Sequence, residues 1–177
     1  LWSRYILNSC EKSFYRKMKD LIGKFFTGDI DDSPETLTKY SRDASIFEVR
    51  PKLVVFPRDS KDIQNLVRFV NDERRNDPTL SLSVRAAGTC MSGGSLTESI
   101  LIDVSRYMNV TPTIKRVTPY EMLPHFPGAQ SVICAGEAVV QPGVFYRDLE
   151  KIAAESNLLL PCYTASKSIN AIGGMIG

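Results

Sequence analysis

The residues best placed to do chemistry lie in Ser83-Val84-Arg85-Ala86-Ala87-Gly88-Thr89-Cys90-Met91-Ser92-Gly93-Gly94-Ser95. An apolar-alternating run (Leu80, Leu82, Val84) leads into this stretch, and a second run (Ile100, Leu101, Ile102, Val104) leads out. Small residues with glycines at the bends let successive backbone N–H groups converge on one point. Such a concave set of donors holds an anion, most often a phosphate. Each hydrogen bond to a charged acceptor contributes roughly 1.5–3 kcal/mol, so about four or five hold a diphosphate with little help from lysine. The stretch reads as a nucleotide-phosphate loop. Taken alone, it also fits a Gly/Ser turn between strands with no ligand.

The kind of loop is narrowed by elimination. A Walker A loop reads GxxxxGK[ST], whereas Gly88 to Ser95 reads GxxxxGGS, so Gly94 stands where the phosphate-reaching lysine belongs. A dinucleotide fingerprint needs GxGxxG opening a helix with an acid about 20 residues on. No spacing here supplies it. A second glycine-bearing segment, Ile172-Gly173-Gly174-Met175-Ile176-Gly177, again suits close approach of backbone to a flat or charged ligand.

The elements that must position these segments follow from periodicity. Residues 10–27 read as an amphipathic helix with Phe14, Met18, Leu21, Ile22 and Phe25 on one face, basic residues on the other and Gly28 as its stop. This stripe fits core packing better than a membrane surface. Asp29 to Pro34 reads as an acidic turn, and Thr36 to Ser45 has no interpretable period. Leu53-Val54-Val55-Phe56 is a short buried strand ended by Pro57. Asp59 or Ser60 then caps a helix with Ile63, Leu66, Val67 and Val70 inward. Strands at Leu80–Val84 and Ile100–Val104 flank the loop, which places it beyond the C-terminal end of its strand, where α/β sheets bind ligands. Between Asn109 and Gln130 four prolines and His125 break the pattern, so this reads as a surface excursion with His125 exposed. Ser131–Ala135 and Ala138–Val140 are strand-like, with a bulge or turn at Gly136-Glu137. A helix follows Gln141-Pro142-Gly143, with Phe145, Leu149, Ile152 and Ala153 on one face, and ends near Asn157. Leu158 to Pro161 reads as buried.

At 177 residues, with 43% hydrophobic and 24% charged residues, the chain is an ordinary globular protein of one domain or two small lobes. A net charge of +2 argues against nucleic acid as a partner. Cys10, Cys90, Cys134 and Cys162 form no CxxC pair, and with one histidine they make no metal set, so the expectation is reduced thiols in a cytoplasmic protein. No apolar run approaches a membrane span. The start at Leu1 and the end within a glycine-rich run lead to the expectation of a truncated chain.

Six segments in order carry a more specific resemblance: Tyr40-Ser41-Arg42-Asp43-Ala44-Ser45, Pro51 to Pro57, Arg85-Ala86-Ala87-Gly88-Thr89 with Ser92-Gly93-Gly94, Ile102 to Arg106, Gln141-Pro142-Gly143-Val144 and Ile172 to Gly177. Over residues 30–177 the chain resembles the FAD-linked oxidases of the vanillyl-alcohol-oxidase type, nearest the glycolate oxidase FAD subunit and D-lactate dehydrogenases. The resemblance implies an α+β, PCMH-type FAD-binding domain of two lobes, truncated before the end of the second. Residues 1–28 would be the N-terminal helical segment, 29–107 the first lobe, 108–130 the Pro-rich excursion and 131–177 the start of the second lobe. Cofactor contacts would come from Arg85, Ala86, Ala87, Gly88, Thr89, Cys90, Met91, Ser92, Gly93 and Gly94 on the pyrophosphate side. Pro161, Ala165, Ser166, Ile172, Gly173 and Gly174 would line the ribityl and flavin side.

Relatives with covalent flavin carry a histidine near the position of Thr89, so FAD is expected to be non-covalent here. The implied activity is oxidation of a small 2-hydroxy acid by hydride transfer to FAD, with electrons passed to a carrier or an Fe–S partner. Tyr163-Thr164 stands where an Asp-Pro pair is common, and Ala171 where threonine is common. No catalytic residue and no metal ligand is expected in this chain, because the family's substrate domain would lie beyond Gly177. The reading from a different class is a folded scaffold or partner-binding module without flavin.

Overall fold

A computed structural model of the chain describes residues 14–122 and 132–176, so Cys10 and His125 lie outside the described residues. The elements are α1 (14–22), β1 (Asp29–Asp31), α2 (Pro34–Lys39), β2 (Leu53–Phe56), α3 (Ser60–Glu73), β3 (Leu82–Arg85) and β4 (Ile100–Asp103). After these come β5 (Thr113–Met122), β6 (Val132–Val139), α4 (Tyr146–Glu155) and α5 (Ile172–Ile176). The arrangement is α+β.

A four-stranded sheet in the order β1-β2-β4-β3 forms the first layer, with β4 parallel to both β2 and β3 and β1 antiparallel at one edge. β2 and β4 are buried along their whole length, which is why each reads as an unbroken apolar run. Alternate side chains divide between two faces. Leu53, Val55, Ile100 and Ile102 pack with Met18 and Ile22 of α1 and Leu66 and Val70 of α3. Val54, Phe56 and Leu101 face Tyr40, with Leu37 and Tyr107 around them. Asp59 caps α3 by accepting from the Asp62 amide at 2.9 Å.

Several expectations are corrected. The acidic turn at 29–34 contains β1, and the uninterpreted segment after it holds α2, capped by Ser33 with Pro34 in its first turn. On α3 the inward stripe is Asp62, Leu66 and Val70, whereas Val67 is 49% exposed. Asp62 is buried with no ion pair among the described residues, and its carboxylate accepts instead from Thr27 N (2.8 Å), Thr27 Oγ1 (3.0 Å) and Arg58 N (2.9 Å). The supposed excursion carries β5, which pairs antiparallel with β6 and shifts register between Arg116 and Tyr120. Pro119, which has no N–H to donate, sits in that irregular stretch. β6 runs unbroken through Gly136-Glu137, and Leu158 occupies the space where a Cβ on Gly136 would stand. On α4, Phe145 is the N-cap residue, and Tyr146, Leu149 and Ala153 are the buried residues. Asn157 has φ 51°, the left-handed end expected there. The chain after it is not buried, because Leu159 is 75% and Leu160 41% exposed.

Pro142-Gly143 joins the two parts. Gly143 N donates to Met108 O at 2.8 Å, and a Cβ on Gly143 would run into the carbonyls of Val104 and Met108. On the other side Pro142 O accepts from Gly173 N at 2.9 Å, and Val144 O accepts from Ile172 N at 2.8 Å. Val144, Tyr146, Leu149 and Ile172 make a small core there, with Ile114, Val140 and Met175 packed against it.

Candidate functional site

The loop from Ala86 to Ser95 begins where β3 ends and stays near the surface. Its two bends are Gly88 (φ +71°) and Gly93 (φ +76°), conformations that side-chain-bearing residues rarely adopt. From Ala86 through Met91 no backbone amide donates a hydrogen bond among the described residues, although Gly88 O accepts from Ala44 N (3.1 Å) and Gly93 O from Leu96 N (3.0 Å). The Ser92 and Gly94 amides turn inward to the Cys90 thiol, Gly94 N donating to Sγ at 3.3 Å. A loop of small residues with its donors unengaged and its carbonyls partly engaged is suited to an anion.

The side chains around the loop are held by its surroundings. Arg85 donates from Nη1 to Arg42 O at 2.6 Å, lies over the Tyr40 ring at 5.2 Å and fills the space a Cβ on Gly88 would need. Its guanidinium is thus a brace under the loop. Tyr40 in turn donates from its hydroxyl to Asp103 Oδ2 at 2.7 Å. Burial, then the hydrogen bond to Asp103 and that residue's charge, push the Tyr40 phenol well above its ordinary pKa. Asp103 is secured by Ser105, whose N and Oγ each donate to Oδ1 at 2.6 Å. Ala87 and Thr89 are half-buried, Ser92 and Gly94 are exposed, and Met91 is 83% exposed. Hydrogen bonds from Ser92 and the Gly94 amide hold the Cys90 thiol below its ordinary pKa.

The second segment is built differently. Ile172, Gly173 and Gly174 donate to Val144 O, Pro142 O and Ala171 O, so their amides are engaged within the chain. A Cβ on Gly173 would meet Pro142, whereas one on Gly174 would have nothing within 4 Å. The glycines at 173 and 174 open a short helix. Pro161 and Ala165 are exposed, and Ser166 O accepts from Asn170 N at 3.0 Å. Asn170 is 3% exposed and donates from Nδ2 to Thr164 Oγ1 at 2.6 Å, while its enclosed Oδ1 has no partner among the described residues. Beyond its own residues the loop is hydrogen-bonded to Ser83, Asp43, Ala44 and Leu96, whereas Ile172, Gly173 and Gly174 bond to Val144, Pro142 and Ala171. No hydrogen bond joins loop and tail among the described residues.

Sequence reasoning did not single out Asp43 as a contact of the loop. Its Oδ2 accepts from Ser95 Oγ at 3.1 Å and its Oδ1 from Ser45 N at 2.8 Å. The readable signal was the Asp-x-Ser spacing of an Asx turn, which also occurs at Asp103-Val104-Ser105. Phe47, whose ring lies 3.0 Å from where a Cβ on Gly93 would be, left no sequence signal of that contact.

Residues 51–177 match the family described as an FAD binding domain. The chain belongs to that family. D-2-hydroxyglutarate dehydrogenase of Escherichia coli (strain K12) is 35% identical over 92 residues, covering 52% of this chain and 9% of the relative. The enzyme of the same name from Pseudomonas putida is 34% identical over 84 residues, 48% of this chain and 8% of the relative. The matched stretch therefore spans less than a tenth of the length of these relatives. Among solved structures, an alkyldihydroxyacetonephosphate synthase superposes with a TM-score of 0.59 over 92% of this chain and 28% of its own, at 15% identity. That likeness concerns the fold. Among the described residues no helix is long and apolar enough to cross a membrane.

Proposed function

We propose that this chain is the FAD-binding portion of a flavin-dependent dehydrogenase of small 2-hydroxy acids. The observation that carries the reading is the run of amides from Ala86 through Met91 that donate to nothing among the described residues, in a chain of the FAD-binding-domain family. The residues present fit the group. Gly88 and Gly93 turn the loop, its Ala86–Met91 amides donate to no acceptor among the described residues, and Arg85 supports it from below. These amides would hold the pyrophosphate, and the exposed stretch around Pro161, Ala165, Ser166 and Gly174 would approach the ribityl and flavin side. When bound, FAD supplies the hydride-accepting chemistry, and the protein's part is to orient the cofactor and tune its surroundings.

Thr89 offers no side chain for the histidyl flavin bond, which supports non-covalent FAD. The names of the relatives favour D-2-hydroxyglutarate over glycolate or D-lactate as the acid oxidised. The substrate domain and an electron carrier or Fe–S partner belong to this proposal, as does a cytoplasmic location.

Spectra of the purified full-length protein test it. A stoichiometric flavin absorbance released by acid, and bleached by D-2-hydroxyglutarate under anaerobic conditions, is the expected result. A colourless protein that takes up no added FAD would favour the scaffold reading. A yellow protein bleached by glycolate or D-lactate alone would move the substrate and leave the cofactor in place. The 177-residue chain by itself is expected to bind FAD weakly.

A further inference from the structure

A loop most of whose amides donate to nothing among the described residues needs another part of the molecule to hold its shape, and here that part is the arm from Arg42 to Glu48. At the loop's entry Arg42 O accepts from Arg85 Nη1 at 2.6 Å, and Ala44 N donates to Gly88 O at 3.1 Å. In its middle the Phe47 ring and Ser45 Oγ lie against Gly93. At its exit Ser95 Oγ donates to Asp43 Oδ2 at 3.1 Å. The arm is folded on itself by Ser45 N donating to Asp43 Oδ1 (2.8 Å) and Phe47 N to Ser45 Oγ (3.1 Å), and Arg42 pairs with Glu48 across its base. Asp43 is the side chain hydrogen-bonded in both sets, with one oxygen shaping the arm and the other fixing the loop.

We infer that Asp43 is a positioning residue whose carboxylate latches the 42–48 arm onto the Ala86–Ser95 loop, so that the loop presents its amides already arranged for an anionic ligand. Prior arrangement of this kind raises affinity by removing the ordering cost at binding. Burial works against the Asp43 charge, but the hydrogen bonds from Ser45 and Ser95 and the nearby Arg85 guanidinium outweigh it and keep the carboxyl below its ordinary pKa. The latch itself rests on the loop's contacts. Its role in cofactor affinity rests on the FAD reading above.

The test compares the full-length protein with its Asp43→Ala, Asp43→Asn and Ser95→Ala variants by peptide-resolved hydrogen exchange and FAD titration. In Asp43→Ala, exchange at the hydrogen-bonded amides of Ala44 and Phe47 in the arm and of Gly94 and Leu96 in the loop is expected to quicken about tenfold with the rest unchanged, and the FAD dissociation constant to rise about tenfold. Asparagine can accept from Ser45 N and share a hydrogen bond with Ser95, so Asp43→Asn recovers most of both effects. Ser95→Ala, which removes only the exit contact, shows the same pattern at smaller size. Unchanged loop exchange in Asp43→Ala and Ser95→Ala would overturn the latch, as would a loosened loop with unaltered FAD affinity. A loosened loop in a protein that never takes up FAD would uphold the latch and remove the cofactor reading.

Discussion

From Ala86 to Met91 the backbone amides donate to nothing among the described residues, whereas Ile172, Gly173 and Gly174 all donate to carbonyls of their own chain. Both segments are rich in glycine beside apolar and small residues. In the loop, glycine supplies positive φ at two bends and leaves donors facing outward. In the tail, Gly173 supplies thinness, because its α-carbon must pass Pro142. A glycine-bearing segment thus serves a ligand or the chain's own packing according to where its amides point, which composition does not record.

Substitutions at glycines sharpen this contrast. The largest effect is expected at Gly143, where a methyl group would meet two backbone carbonyls that cannot rotate aside. Gly143→Ala should cost more than about 4 kcal/mol, read as loss of a cooperative thermal transition. Next is Gly88→Ala, which adds a left-handed side chain above the clamped Arg85 and should cost about 1–3 kcal/mol and most of the flavin content. Gly93→Val is strained for the same reason and would not leave the fold untouched, since φ is +76° and Phe47 closes the space. Tyr40→Phe removes the hydrogen bond to Asp103 and should lower stability by about 1–2 kcal/mol in a denaturant titration. Smallest is Gly174→Ala, which lies in open space on a short helix and should change stability by less than about 1 kcal/mol. Lost flavin with an intact melt in that variant would mark the tail as a ligand contact, and unchanged flavin would confine the pyrophosphate site to the loop.

Acidity gives another way to separate the two segments. Hydrogen bonds keep the Asp43 pKa depressed, so its contribution to stability is full above the unfolded value near about 3.9 and is lost as pH falls through the folded value. Thermal melts from neutral pH downward should therefore loosen the loop side at the acid end, and Asp43→Asn should flatten that part of the curve.

The strands that carry the loop were legible for a physical reason. Leu53-Val54-Val55-Phe56 and Ile100-Leu101-Ile102 are buried on both faces, so every position must be apolar. The Asp59 cap was equally plain. β5 was hidden because it is a half-solvated strand whose Thr, Lys and Arg residues look like loop and whose Pro119 argues against a ladder. β1 was hidden because three residues, Asp-Ile-Asp, at a sheet edge carry almost no periodic signal. Val67 fell on the apolar stripe of α3 by period, but Asp62, fully hydrogen-bonded, took the inward place. At the site, glycines and small residues pointed to the loop, while the arm that shapes it depends on contacts between segments 40 residues and more apart.

One consequence of the Pro142-Gly143 junction concerns length. Thr113 pairs with Val139 just beside that junction, and the β5–β6 hairpin runs away from it toward Met122 and Val132. Residues gained or lost past the far end leave the near pairing, and everything anchored to it, where they are. The hairpin is therefore a place where descendants of one ancestor can differ in size without retuning the segments on either side of the crossing.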